Sequence, residues 1–421
     1  MAQHRKGTRS NELPAISRRA FLGGPVARAA IAAGALPLFA SARVLAAAPP
    51  PVKVGLTYPF SGTDAADGIN ISNGAVLAIE EYNHAAGTRF PQITLEKRDD
   101  ETPSGADFDP AQTAVNIRSL LSDPNVVAVL GPLISSEGKI QEPLLSHGDM
   151  PIVTGSATNA DLTDPRFFHI YRPAGKTVFF RTAATSDVIL PAFATFAAKS
   201  QHVKSVFVID DTSATGVVQA TAFQTAAAKL GIKIMGRDSI NPQQSDYSSV
   251  ITKVRGLAPQ AVFTAGVLEA LSKFAPQAHT QLPGTLFLSN DGILTPQFIK
   301  LVGPDAARNW YSVSGAPNIA KLPSAQTFIK NYVARFGQQP EAYAGPTYDA
   351  GLVVAAAVRR VVEGRQPLNR HTVRAAIAET NLPNGATGPI SFKPNGDRKI
   401  AVVSIWRAGT TDFDFIASVS A

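Results

Sequence analysis

Val52-Lys53-Val54-Gly55-Leu56-Thr57 opens a pattern that decides the fold. Its short apolar run reads as a strand. Residues 73–86 follow as a helix, with Val76, Ile79 and Tyr82 on one face and Gly87 as its stop. Residues 93–97 form a second strand, and 109–122 a second helix with Asp109 as N-cap, Pro110 in the first turn, and Ala114, Ile117 and Leu121 turned inward. Apolar strands at 126–130 and 151–154 continue the series. Apolar runs joined by helices imply a parallel sheet covered on both faces.

The rhythm then restarts. Residues 205–209 read as a strand, followed by a helix with Ala220, Phe223, Ala227 and Leu230 on one face. Strands at 232–235, 261–265 and 285–289 extend this second unit. Helices at 324–336 and 348–363 carry strong apolar faces, the first through Phe328, Ile329, Tyr332 and Phe336. Three antiparallel strands, 390–393, 400–406 and 413–419, are expected at the end, with a turn at Pro394-Asn395-Gly396-Asp397. Two α/β units in succession suggest two Rossmann-like lobes, as the length of 421 residues also favours.

Charge separates a leader from the rest. The chain holds 39 Lys and Arg against 32 acids; residues 1–46 carry seven of the former and one of the latter, which leaves 32 against 31. The basicity therefore belongs to the leader, and an aromatic content of 8% without basic interleaving gives no nucleic-acid platform. Ser17-Arg18-Arg19-Ala20-Phe21-Leu22 precedes a small-residue apolar run at 29–40, and small residues suited to cleavage follow at 40–42 and 44–46. The string resembles a twin-arginine export signal, with Arg18 and Arg19 as its core. No other run reaches the ~18 apolar residues of a membrane span, so a soluble mature chain is expected. The chain has no cysteine, which excludes disulfides, thiolate metal sites, cysteine nucleophiles and a lipid-modified cysteine anchor.

Catalytic and metal motifs are missing. Gly175-Lys176-Thr177 imitates the end of a phosphate loop, but Ile170 stands where that loop needs its first glycine. No G-x-S-x-G elbow occurs. His4, His84, His147, His169, His202, His279 and His371 are scattered without metal spacing. Asp99-Asp100-Glu101 is a short acidic run with no further acids at cation-coordinating intervals, and reads as a solvated loop. No catalytic residue, metal or cofactor is expected.

Several strings in order resemble the branched-chain amino-acid-binding (Leu/Ile/Val-binding-like) family of type I periplasmic solute-binding proteins. They begin with Val52–Thr57, Phe60-Ser61-Gly62, and Asn73-Gly74-Ala75 leading to Ala78-Ile79-Glu80-Glu81-Tyr82-Asn83. Asp99-Asp100, Val129-Leu130-Gly131-Pro132, Ser135-Ser136 and Pro151-Ile152-Val153 follow. The likeness ends with Gly345-Pro346-Thr347-Tyr348-Asp349-Ala350 and Thr387-Gly388-Pro389-Ile390-Ser391-Phe392, and so spans about residues 52–407. It implies two Rossmann-like lobes joined by three hinge crossings, near Pro173, Gly315 and Lys399. The N-terminal lobe would comprise 52–173 and 315–398, and the C-terminal lobe 174–314 and 399–421. A ligand would bind between the lobes as they close, and the closed form would dock on the inner-membrane permease subunits of an ABC transporter.

The resemblance also assigns a site. Ser135 falls where the family holds the ligand's carboxylate, and Ser156, Ala157 and Thr158 fall on the next carboxylate-binding loop. Asp291 matches the acid that receives the ligand's amine. The residue types suit these roles: a serine opening a helix offers a hydroxyl and free backbone N–H groups to an anion. Asp67, Thr215 and Val267 stand where large or aromatic pocket residues are common, implying a more polar or roomier pocket. Thr102 and Ile134 replace a cysteine pair often found near the first ligand loop. The expected function is periplasmic capture of a small amino acid or related carboxylate or amide for import. A sensory receptor for an amide or aromatic acid, and an exported enzyme, are the rivals.

Overall fold

The computed structural model describes residues 49–62, 64–101 and 109–420. The expected leader with Arg18 and Arg19, and Thr102, lie outside the described residues.

The first sheet is wholly parallel, in the order β2-β1-β3-β4-β5, from β1 Val52–Tyr58, β2 Ile93–Asp99, β3 Val126–Leu130, β4 Ile152–Thr154 and β5 Phe179–Arg181. Alternate side chains enter different cores, because successive Cβ atoms of a strand point to opposite faces. Phe180 joins Val54, Leu56 and Tyr58 beneath helix α1, Ala65–Ala86, and helix Ala344–Glu363. Phe179 joins Val129 and Ile152 beneath α2, Pro110–Ser122, and α3, Ser135–His147.

The second sheet repeats the winding. β6 Ser205–Asp210, β7 Lys233–Ser239, β8 Ala261–Ala265, β9 Leu286–Ser289 and β10 Trp310–Ser314 run parallel in the order β7-β6-β8-β9-β10. Its faces divide in the same way: Phe207, Ile209 and Val262 pack in one core, Val206, Val208 and Phe263 in the other. After β11 Asn381–Gly385 and β12 Gly388–Ser391, strand β13 Val402–Ala408 adds antiparallel to β10, and β14 Phe413–Ser420 antiparallel to β13. The two-lobed α/β expectation is met.

Four details depart from the sequence reading. β5 is still part of the first sheet, so the chain leaves that sheet after Arg181, not near Pro173. The second and third passages fall at Gly315 and before β13, and the three segments touch: Ala184 N donates to Gly315 O at 2.8 Å, and Arg181 N to Gly396 O at 3.1 Å. β12 does not pair with the terminal strands but with β11, in a two-stranded sheet of its own. α2 keeps its Asp109 cap but buries Thr113, Asn116, Ile117 and Leu120, a stripe turned by one residue from the expected face. Leu230 lies beyond helix Ala214–Lys229 and is 40% exposed, because its helix's buried stripe runs through Gln219, Ala220, Phe223 and Ala227.

Candidate functional site

In both sheets the strand order reverses direction between the first two strands and the rest, at β1/β3 and at β6/β8. Loops leaving the carboxyl ends of the strands part there and open a crevice. Here the two crevices face one another and form a single cleft of about 780 Å³, counting its open mouth.

The first sheet contributes the loops after β3 and β4. Ser135 opens α3 and is buried; its Oγ accepts from Asn159 N at 3.0 Å and keeps its own proton available. The first backbone N–H groups of a helix have no intrahelical partner. Thr158 follows β4 and lines the same cleft. Ser156 lines it too, but its hydroxyl donates to Leu133 O at 2.8 Å and Pro132 O at 3.2 Å, so it braces the loop. Ala157 does not face the cleft. It is packed in the core against the α2–α3 layer, and its carbonyl accepts from Arg181 Nη1 at 3.0 Å.

The second sheet brings Thr215, Val267 and Asp291 to the opposite wall. Ser213 caps helix Ala214–Lys229, which places Thr215 in its first turn, and Val267 N donates to Asp211 Oδ2 at 2.9 Å. Gly292, after β9, passes so close to Gly266, after β8, that a Cβ on it would lie 2.0 Å from Gly266 O. Only glycine permits that approach, and it fixes Asp291 at the cleft. Asp291 Oδ2 accepts from Tyr343 OH at 2.6 Å and Oδ1 from Gln219 Nε2 at 3.4 Å. Burial pushes the Asp291 carboxyl above its ordinary range, against the lowering effect of those bonds.

Seven of the eight expected pocket residues thus meet in one cleft: Ser135, Ser156, Thr158, Asp291, Thr215, Val267 and Asp67. Sequence reasoning missed Gln219, Tyr343, Asp64 and Glu341, which line it as well. Gln219 is buried and its amide donates to Thr158 Oγ1 at 3.3 Å as well as to Asp291, so one side chain links the two walls. Other contacts bridge the cleft: Ser136 Oγ to Thr215 Oγ1 at 3.0 Å, and Thr295 Oγ1 to Asp67 Oδ1 at 2.7 Å. The lobes stand closed upon each other.

Asp64 and Asp67 reach the cleft because α1 begins at Ala65, earlier than its apolar periodicity indicates. Asn70 holds this first part of the helix: its amide donates to Gln339 O, it accepts from Glu341 N, and its carbonyl accepts from Tyr332 OH. Burial pushes Asp67 up to about 6. Burial, then the nearby Glu101 and Asp67 charges, pushes Asp64 well above the carboxylate range; burial and Asp67 do the same to Glu341.

The family model described as periplasmic binding protein matches residues 51–410. The chain belongs to the periplasmic binding protein family. This binding protein is 26% identical over 346 residues to the Leu/Ile/Val-binding protein homolog 3 of Brucella melitensis, covering 82% of this chain and 88% of that one. Its fold matches the leucine binding protein LivK of Thermotoga maritima with a TM-score of 0.77 at 23% identity, over 87% of this chain and 98% of that one. It also matches LivJ of Streptococcus pneumoniae, a branched-chain amino acid transporter substrate binding protein in complex with isoleucine. There the TM-score is 0.75 at 21% identity, over 88% and 99% of the two chains. The fold is therefore that of the type I periplasmic binding proteins. These relatives are named as binding proteins, not enzymes. Among the described residues no helix is long and apolar enough to cross a membrane.

Proposed function

We propose that this binding protein is the substrate-binding component of an ABC importer and captures a small amino acid or a related carboxylate in the cleft. One observation carries the reading: hydroxyl and N–H donors at Ser135 and Thr158 face Asp291 across a single cavity, with Gln219 between them. The donor wall suits a carboxylate and the acid suits an ammonium, so both charges of a zwitterion find partners when water is excluded. The passages after Arg181, at Gly315 and before β13 serve as the hinge. Closure presents both lobes to permease subunits in the inner membrane. Ser17–Leu22 directs export by the twin-arginine route, with 1–46 removed; precursor of an Arg18→Lys, Arg19→Lys variant should stay in the cytoplasm, and normal export would refute the route.

Calorimetric titration with a panel of amino acids tests the site. Asp291→Asn removes the counter-charge and should weaken the tightest binder by roughly 3–5 kcal/mol, as breaking a buried ion pair does. Ser135→Ala removes one donor and should cost roughly 1.5–3 kcal/mol. Equal small losses at both positions would mean that Asp291 meets no cation.

A further inference from the structure

The charges lining the cleft do not balance for an ordinary zwitterion. Asp64, Asp67, Asp291 and Glu341 all line it, and no Lys, Arg or His is among the described residues that do. A neutral α-amino acid brings one ammonium, which Asp291 answers. Three carboxylates remain on the first lobe's side.

Asp64 is the telling one. It is 6% exposed, lines the cavity, and its carboxylate has no hydrogen bond or ion pair among the described residues. It stands at the N-terminus of α1 but makes no cap bond there, so capping does not account for it. Glu341 likewise has no side-chain partner among the described residues, and Asp67 has only the Thr295 hydroxyl, through one oxygen. Behind them Glu101 and Glu137 are also buried and add negative charge. Ile71 and Leu294 line the same cleft and give it a stretch of apolar surface. Such a stretch suits a methylene chain with a charge at its far end.

We infer that the cleft is built for a ligand with a second cation: an α-amino acid whose side chain ends in an ammonium or guanidinium, received by Asp64, Asp67 and Glu341. The inference rests on the amino-acid reading of the same cleft. Burying carboxylates is costly unless each is paired or protonated, and a side-chain cation removes that cost at the moment of closure. An apolar side chain would leave them facing hydrocarbon, and a simple anionic acid would meet repulsion.

The test is calorimetric titration of the purified protein, at about pH 7.5 where free carboxylates are ionised. L-Lysine and L-arginine are compared with their neutral counterparts, L-norleucine and L-citrulline, and with agmatine, which is arginine without its carboxylate. The cationic amino acids should bind at least ~10-fold tighter than the neutral ones, a difference that complementary charge readily supplies. An Asp67→Asn, Glu341→Gln variant, checked for native circular dichroism, should shrink that ratio to within ~3-fold. Norleucine or citrulline binding as tightly as its cationic counterpart would overturn the second cation while leaving the amino-acid reading intact. Agmatine binding as tightly as arginine would uphold the second cation and count against the carboxylate wall. No binding by any cationic probe would overturn the inference.

Discussion

Asp64, Asp67 and Glu341 are carboxyl groups that the folded chain holds at a cost, and that cost is measurable without any ligand. Burial raises all three; Glu101, Asp67 and Glu269 add to it at Asp64, and Asp67 and Asp412 at Glu341. An acid whose pKa is raised on folding is held most favourably when protonated. Its stabilisation is full below the unfolded value and is lost as the pH rises through the folded one, here about 6 for Asp67. An Asp64→Asn, Asp67→Asn variant should therefore melt above the parent near pH 7.5, with the gap narrowing towards about pH 4.5. Melting curves of both proteins across that range decide it; a gap that is constant or widens in acid would contradict the burial account. Asp64 and Glu341 were not legible in the sequence, and Asp67 was reached only through the family resemblance. Asp64 and Asp67 precede the apolar periodicity of α1, and only contacts from distant residues such as Tyr332 and Gln339 extend the helix to include them. Gln219 did leave a signal, as a polar residue on the buried stripe of Ala220 and Phe223. Ser135, Thr158 and Asp291 were found through the order of short strings, not through any chemistry visible at one position.

At the scale of elements, strands were read more closely than helices or their partners. β3 and β8 match their apolar runs residue for residue, because a strand buried on both faces leaves a continuous signature. β12 was read as a strand but not its pairing with β11, since Asn381–Gly385 is mostly exposed and carries no apolar pattern. Helix contact also hides in single residues. A Cβ at Gly74 of α1 would lie 2.2 Å from Ala344 O and 2.9 Å from Tyr348 N, backbone atoms of helix Ala344–Glu363. At an exposed helical site Gly→Ala stabilises by about 0.4–1 kcal/mol. Here Gly74→Ala should destabilise by about 1–3 kcal/mol, the usual cost of overpacking. Chemical denaturation measures it, and an unchanged or higher midpoint would show that the two helices are not packed through Gly74.

The described residues build two like-wound sheets with their carboxyl ends opposed, beside the small β11–β12 pair. The repeated rhythm of strand and helix was legible along the chain, but the discontinuity of each lobe was implied only by the family resemblance, not by the rhythm. Helix Ala344–Glu363 packs on α1 although five strands of the second sheet, β6 to β10, lie between them in sequence. Apolar periodicity reports that a face is buried, never which lobe covers it. The passages between sheets are held by backbone bonds and by buried pairs such as Arg181 with Asp397, 2.8 Å apart. The bridging bonds Ser136–Thr215, Gln219–Thr158 and Thr295–Asp67 are instead isolated side-chain contacts, which opening would release one by one to water. Rigid lobes, a narrow hinge and weak cleft contacts are the physical requirements for closure on a ligand. Small-angle X-ray scattering of the purified protein, free and saturated with the tightest-binding amino acid of the calorimetric panel, tests this most directly. The radius of gyration should fall on saturation as the lobes shut; a value that stays the same at full occupancy would contradict capture by hinge closure.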